Sequence, residues 1–170
     1  MIRPALALSL LALIAGAPGP ALAQSITCPP GSTRGGTESE AGKFHWCEQV
    51  TPSGPIRQGP MVGFHPNGRR SFELNFVDGS PRGAVRAWYA GGQPSMTGET
   101  RPDNGTLVLW DDRGRKRAQV DVRDRQVVTR AWDEEGREER YQEAKLARAM
   151  PANRNLGFLM QLWAVGIGIQ

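Results

Sequence analysis

The chain of 170 residues predicts a mainly β fold built from consecutive β-hairpins, and three observations carry that expectation. The first is internal recurrence. An aromatic residue stands four places before a glycine in GFHPNG, AWYAGG, LWDDRG and AWDEEG, giving Phe64 with Gly68, Trp88 with Gly92, Trp110 with Gly114 and Trp132 with Gly136. The copies lie 24, 22 and 22 residues apart, a period that marks a repeat architecture. The second is turn chemistry. Asn67-Gly68 and Gly91-Gly92 accept the positive φ that a tight hairpin loop requires. The third is alternation: Phe72, Leu74 and Phe76 interleave with Ser71, Glu73 and Asn75, and Ala118, Val120 and Val122 interleave with Gln119 and Asp121. Period two over five or six residues describes a strand with one face buried.

Residues 1–23 stand apart from this pattern. Arg3 precedes an apolar run from Ala5 to Gly16, and Ala21-Leu22-Ala23 forms a small-residue A-x-A site ahead of Gln24. That is the pattern of a secretory signal peptide, and the run is shorter than the roughly 20 residues a spanning helix needs. An uncleaved anchor is disfavoured by the A-x-A site, and a lipid anchor on Cys28 by the bulk of Thr27 just before it. The expected address is therefore outside the cytoplasm, in the periplasm or at the cell surface. Cleavage there leaves 147 of the 170 residues, enough for one domain with a modest core, and the loss of Arg3 takes the formal charge from +4 to +3. Arginine outnumbers lysine eighteen to three, yet the arginines are dispersed among acids, as in DDRGRKR and DEEGREER. Mixed runs of this kind belong to solvated surface, so a nucleic-acid partner is not expected.

Residues 24–53 read as a disulfide-closed N-terminal cap. Cys28 and Cys47 are the only cysteines, an even count that favours one disulfide in an oxidising compartment. A loop of that size contributes about 3 kcal/mol by restricting the unfolded chain. A reactive or metal-binding thiol lacks support, because neither cysteine sits in a CxxC and only His45 is close to Cys47 in sequence. The intervening PPGSTRGGTESEAGK is rich in turn formers and is expected to be irregular.

Residues 54–140 hold the hairpins. Taking Asn67-Gly68 as a two-residue loop, Gly63 faces Phe72 and Met61 faces Leu74. The second copy pairs Ala87 with Met96 and Val85 with Gly98, and the third pairs Leu109 with Ala118 and Leu107 with Val120. Four of these six pairs set a large residue against a small one, as packing at fixed volume requires. The same alternation puts Phe64, Trp88, Trp110 and Trp132 on the opposite face, with rungs about 9–10 Å apart if successive hairpins stack. A bulge at the turn would exchange the faces. Two readings of the aromatic row stay open: side chains covered by their surroundings, or a groove for a partner. The first is favoured because monomers rarely expose large apolar patches.

The pattern glycine, apolar at two, aromatic at five and glycine at nine resembles the MORN-type repeat, in the variant found in YwqK-like antitoxins. Gly59, Met61, Phe64, Asn67 and Gly68 match it, as do Gly83, Val85, Trp88, Tyr89 and Gly92, and Gly105, Leu107, Trp110 and Gly114; the fourth copy keeps Trp132 and Gly136 and has Val127 in place of the first glycine. The Tyr-x-Gly opening of the better-known MORN repeat is absent, and with it the basis for phospholipid contacts. The resemblance implies consecutive hairpins in an elongated antiparallel sheet, a bacterial origin, and a role in binding and assembly. An antitoxin label fits an exported chain only as an immunity-type role in the envelope.

An open stack of hairpins needs its ends closed. Residues 141–170 are expected to supply a helical or mixed C-terminal cap: 138–150 contains good helix formers and stops before Pro151, and LGFLMQLWAVGIGI at 156–169 is apolar except for Gln161. The alternative use of 156–169 is peripheral contact with envelope lipid or with another copy. Chemistry is sparse. The two histidines, His45 and His65, fall in no HExxH, and no GxSxG or phosphate-cradling loop occurs. Asp111 and Asp112 occupy repeat slots filled elsewhere by His65-Pro66, Tyr89-Ala90 and Asp133-Glu134, so they read as turn-flanking residues and not as a catalytic pair. The acidic pairs lack the spacing of a calcium loop. The expected function is thus a non-catalytic scaffold for an unidentified protein partner, needing no cofactor or metal, with Phe64, Trp88, Trp110 and Trp132 as candidate partner-binding residues. Oligomeric state is left open.

Overall fold

The computed structural model describes residues 26–39, 42–101, 103–124 and 126–139. The proposed signal segment and the expected C-terminal cap lie outside the described residues. Ten strands follow one another: β1 (Thr33–Ser39), β2 (Gly42–Thr51), β3 (Gly54–Phe64), β4 (Arg70–Val77), β5 (Ser80–Trp88), β6 (Pro94–Arg101), β7 (Asn104–Trp110), β8 (Lys116–Arg123), β9 (Gln126–Trp132) and β10 (Glu138–Glu139). They form a single antiparallel sheet in sequence order from β1 to β10. Each hydrogen-bonds only to its sequence neighbours, the arrangement that short hairpin connections dictate.

All six expected cross-strand pairs are present: Met61 with Leu74, Gly63 with Phe72, Val85 with Gly98, Ala87 with Met96, Leu107 with Val120 and Leu109 with Ala118. These side chains share one face. Together with Phe76, Tyr89 and Val122 they make the core, against which Phe44 and Trp46 of β2 pack. The fit at the first pair is close: Phe72 fills the space that a side chain on Gly63 would need, since a Cβ there would stand 2.3 Å from the phenyl ring.

The connections at the aromatic end differ from the expected two-residue loop. In every copy the residue after the aromatic donates its N–H to the carbonyl four places on, at 2.8–3.0 Å for His65, Tyr89, Asp111 and Asp133. The repeat glycine donates back to that same residue, and Gly68, Gly92, Gly114 and Gly136 all have φ between 76° and 99°. This is a three-residue loop closed by a glycine in the left-handed region. It adds half a step of offset, and a bulge just inside the first three hairpins removes it. The extra residues are Ser71, Ser95 and Arg117. Because the two irregularities cancel, the pairs expected from the simpler turn are the observed ones. At the other end of the hairpins the turn is tighter: Val77 pairs with Ser80 across Asp78 and Gly79, whose φ values are 50° and 78°.

The N-terminal segment also departs from expectation. The disulfide between Cys28 and Cys47 is formed, but most of the chain between them is strand, not irregular loop. β1 pairs with β2 along its whole length, from Thr33 opposite Glu48 to Ser39 opposite Gly42. Its sequence is polar because it is an edge strand, so its partner β2, with Phe44 and Trp46, supplies the apolar content. The disulfide sits where β2 and β3 shift register, between Trp46 and Glu48. There Gly59, at φ 98°, lets Pro29 approach so closely that a Cβ would be 2.5 Å from the pyrrolidine ring. The first glycine of that repeat is thus fixed by a backbone bend and by the chain crossing it.

Candidate functional site

The aromatic row lies on the sheet face opposite the core. In β5 the burial alternates through Val85, Arg86, Ala87 and Trp88, with Val85 and Ala87 inside and Arg86 exposed. Trp88 therefore points away from Val85, as the strand register requires. The four rungs are not equally accessible. Phe64 is only 8% exposed and meets His45 edge-on at 5.6 Å. Trp88, Trp110 and Trp132 are half-buried. The Trp110 indole N–H donates to the Thr97 hydroxyl at 3.1 Å, and the Lys116 ammonium lies 4.2 Å from the centre of the Trp132 ring. That cation attracts the negative face of the indole. A concavity of about 400 Å³ opens beside it, lined by Arg115, Lys116, Trp132, Glu134, Glu135 and Gly136.

The rungs are tied together by a device the sequence concealed. Ladders between successive hairpins end one residue short of the aromatic, at Phe72 with Ala87, Met96 with Leu109 and Ala118 with Ala131. The aromatic's carbonyl then accepts from a side chain of the preceding hairpin. His65 Nε2 donates to the Trp88 carbonyl at 2.8 Å, the Tyr89 hydroxyl to that of Trp110 at 2.8 Å, and Arg117 Nε to that of Trp132 at 3.0 Å. A carbonyl only accepts, so His65 carries its proton on Nε2. Burial and the nearby Asp112 and Asp111 carboxylates push the Tyr89 hydroxyl up to about 12, which keeps it a donor. Three chemically unrelated residues thus satisfy one recurring need, and nothing in their identities advertises it.

Asp111 is the most buried acid at this end, with 2% of its surface exposed. Its carboxylate accepts from the Arg113 and Arg115 N–H groups at 3.0 and 2.9 Å and from the Arg115 guanidinium at 2.7 Å. Arg117 approaches it to 3.5 Å. Burial alone would raise this carboxyl, but the Arg115 and Arg113 main-chain donors and the Arg115 guanidinium together hold it below the usual range. Asp133 repeats the arrangement in the next loop, accepting from the Arg137 and Glu135 N–H groups and the Arg137 guanidinium. Its carboxyl is also lowered, first by the Arg137 N–H. Asp112, by contrast, is exposed. The two aspartates of LWDDRG are a loop clamp and a solvated neighbour.

Away from the turns this face is polar and charged. Glu73 bridges Arg70 and Arg86, the latter at 2.9 Å, and Asp121 accepts from Arg130, Gln119 and Thr106. Burial would raise the Asp121 carboxyl, but these three side-chain donors bring it below its ordinary value. A second concavity, of about 530 Å³, lies over β3–β5 on this face beneath Ile26 and Thr27. Among the described residues no three His, Cys, Asp or Glu side chains gather closely enough to hold a metal ion. No protein-family model, characterised protein or solved structure matches the chain.

Proposed function

We propose that this chain is an exported, non-catalytic repeat scaffold that holds a protein partner in the bacterial envelope, with an immunity-type role among the forms this could take. The observation that carries the reading is the placement of Trp88, Trp110 and Trp132 at one position of three successive hairpins, on the face opposite the core. Two strands separate neighbouring rungs, so the indoles recur about every 9–10 Å. Half-buried tryptophans with a hydrogen-bonding edge are the residues that dominate protein interfaces, since they desolvate well and cost little side-chain entropy. The oxidised Cys28–Cys47 pair is consistent with an extracytoplasmic address. Phe64 belongs to this row by sequence, but its burial makes it a support for the first hairpin.

The test is a cross-linked pull-down of the tagged mature chain from its own cells, beside Trp88→Ala and Trp110→Ala variants. Both variants should remain folded by circular dichroism while recovering at least tenfold less of a single protein. Equal recovery by folded variants would take the binding surface away from the aromatic row.

A further inference from the structure

The core face is too dry for an uncovered sheet. Phe72, Ala87, Met96, Leu107, Leu109 and Ala118 have 0% of their surface exposed, and they span five consecutive strands, β4 to β8. Side-by-side neighbours shield the flanks of a side chain on a sheet, but its tip stays in water unless a second layer is laid on it. β1 and β10 do not pair, so the sheet does not close into a barrel. The N-terminal residues Ile26 and Thr27 border a concavity with Val62, Glu73, Ala84 and Arg86, on the opposite face.

We propose that residues 156–169, LGFLMQLWAVGIGI, are the second layer and dock along the core face across β4–β8. The segment lies outside the described residues and is apolar save for Gln161, which matches an apolar surface and little else on this charged molecule. Its length suits the task. Fourteen residues wound as a helix would extend about 21 Å, and five strands at about 4.8 Å spacing extend about 19 Å between the outer two. The sixteen residues 140–155 between β10 and the segment are more than enough to turn back from the sheet edge. Docking here withdraws Phe158, Leu162 and Trp163 from lipid and leaves the aromatic row as the face open to a partner. The inference stands independently of whether the row binds a protein.

The experiment uses the full mature chain with a photoreactive phenylalanine analogue at Leu162. Irradiation of dilute protein should yield intramolecular cross-links to peptides containing Met96 or Leu107, in a yield independent of concentration. Cross-links only between copies, only to added anionic phospholipid vesicles, or to the Trp88–Trp110 face would each overturn the proposal. Hydrogen exchange supplies the second measurement. In the Phe158→Asp, Leu162→Asp double variant, amides of β6 and β7 should exchange at least tenfold faster than in the parent; unchanged rates would overturn it as well.

Discussion

The first two hairpins and the last two meet the same backbone demand in different ways. In the first two, the residue after the aromatic reaches outward: His65 and Tyr89 each bond the carbonyl of the next rung. In the last two the same slot holds Asp111 or Asp133, which folds back into its own loop and gathers two N–H groups and a guanidinium. Where Asp111 turns inward, the outward role passes to Arg117, and Arg115 adds a bond from its guanidinium to the Glu134 carbonyl at 3.0 Å. The lesson is that a repeat conserves a requirement of the main chain and leaves open which side chain meets it. The price of that freedom is that neighbouring repeats respond differently to mutation and to acid.

The largest expected effect separates the two aspartate loops from each other. Asp111→Ala leaves the Arg113 and Arg115 main-chain donors without an acceptor at a nearly dry position and takes one partner from the Arg115 guanidinium, which keeps the Glu134 carbonyl, and should cost about 2–3 kcal/mol in urea unfolding. Asp133→Ala should cost clearly less, because its partner Arg137 is 74% exposed and water can replace the carboxylate. Equal losses would break the distinction between a buried clamp and a solvated one. Next comes the close pair of the first hairpin: Gly63→Ala drives a methyl into the Phe72 ring and should cost about 1–3 kcal/mol by the same measurement. A neutral result would show that the first hairpin is packed less closely than its geometry states.

Removing one outward bond is a smaller change. Tyr89→Phe keeps the ring and deletes the donor to the Trp110 carbonyl, for an expected loss of about 1 kcal/mol. An unchanged denaturation midpoint would mean that water or a shifted neighbour takes the hydroxyl's place. The effect of pH is smallest near neutrality and grows in acid. Asp111, Asp121 and Asp133 are all held below their ordinary values. Their contribution is complete above the unfolded carboxyl value of about 3.9 and is lost as the pH falls through the lower folded values. Amide protection, taken relative to the intrinsic exchange rate at each pH, should therefore fall in the loops 111–115 and 133–137 before it does in 65–69 and 89–93. The reverse order would sink the comparison.

Much of the architecture was legible in the residues. Phe72, Leu74 and Phe76 announce a strand because alternation is a local consequence of the pleat, and pairing across a short turn follows from counting outward. The bulges at Ser71, Ser95 and Arg117 are not legible in the residues because each cancels the offset of its loop, so both turn types predict one register. β1 leaves no periodic signal because an edge strand needs no apolar alternation of its own. At Gly59 the repeat's first glycine is explained by position. Gly59 sits at a register shift and beneath Pro29, whereas Val127 stands in an unbroken ladder opposite Val122 and needs no glycine. The candidate rungs were identifiable as a row, but their unequal exposure was not, since it depends on what stands beside each one: His45 against Phe64 and Lys116 over Trp132.

By itself, then, the sequence determined the hairpins, their cross-strand partners, the cysteine pair and the face each aromatic would take, because all of these depend on local periodicity and short-range closure. The tertiary structure decided the rest. It set β1 at the edge, chose His65, Tyr89 and Arg117 as the ties between hairpins, and turned Asp111 from one acid of a surface pair into a buried clamp. Those outcomes depend on which groups two adjacent hairpins leave unpaired when they meet, a quantity that exists only once the strands are side by side.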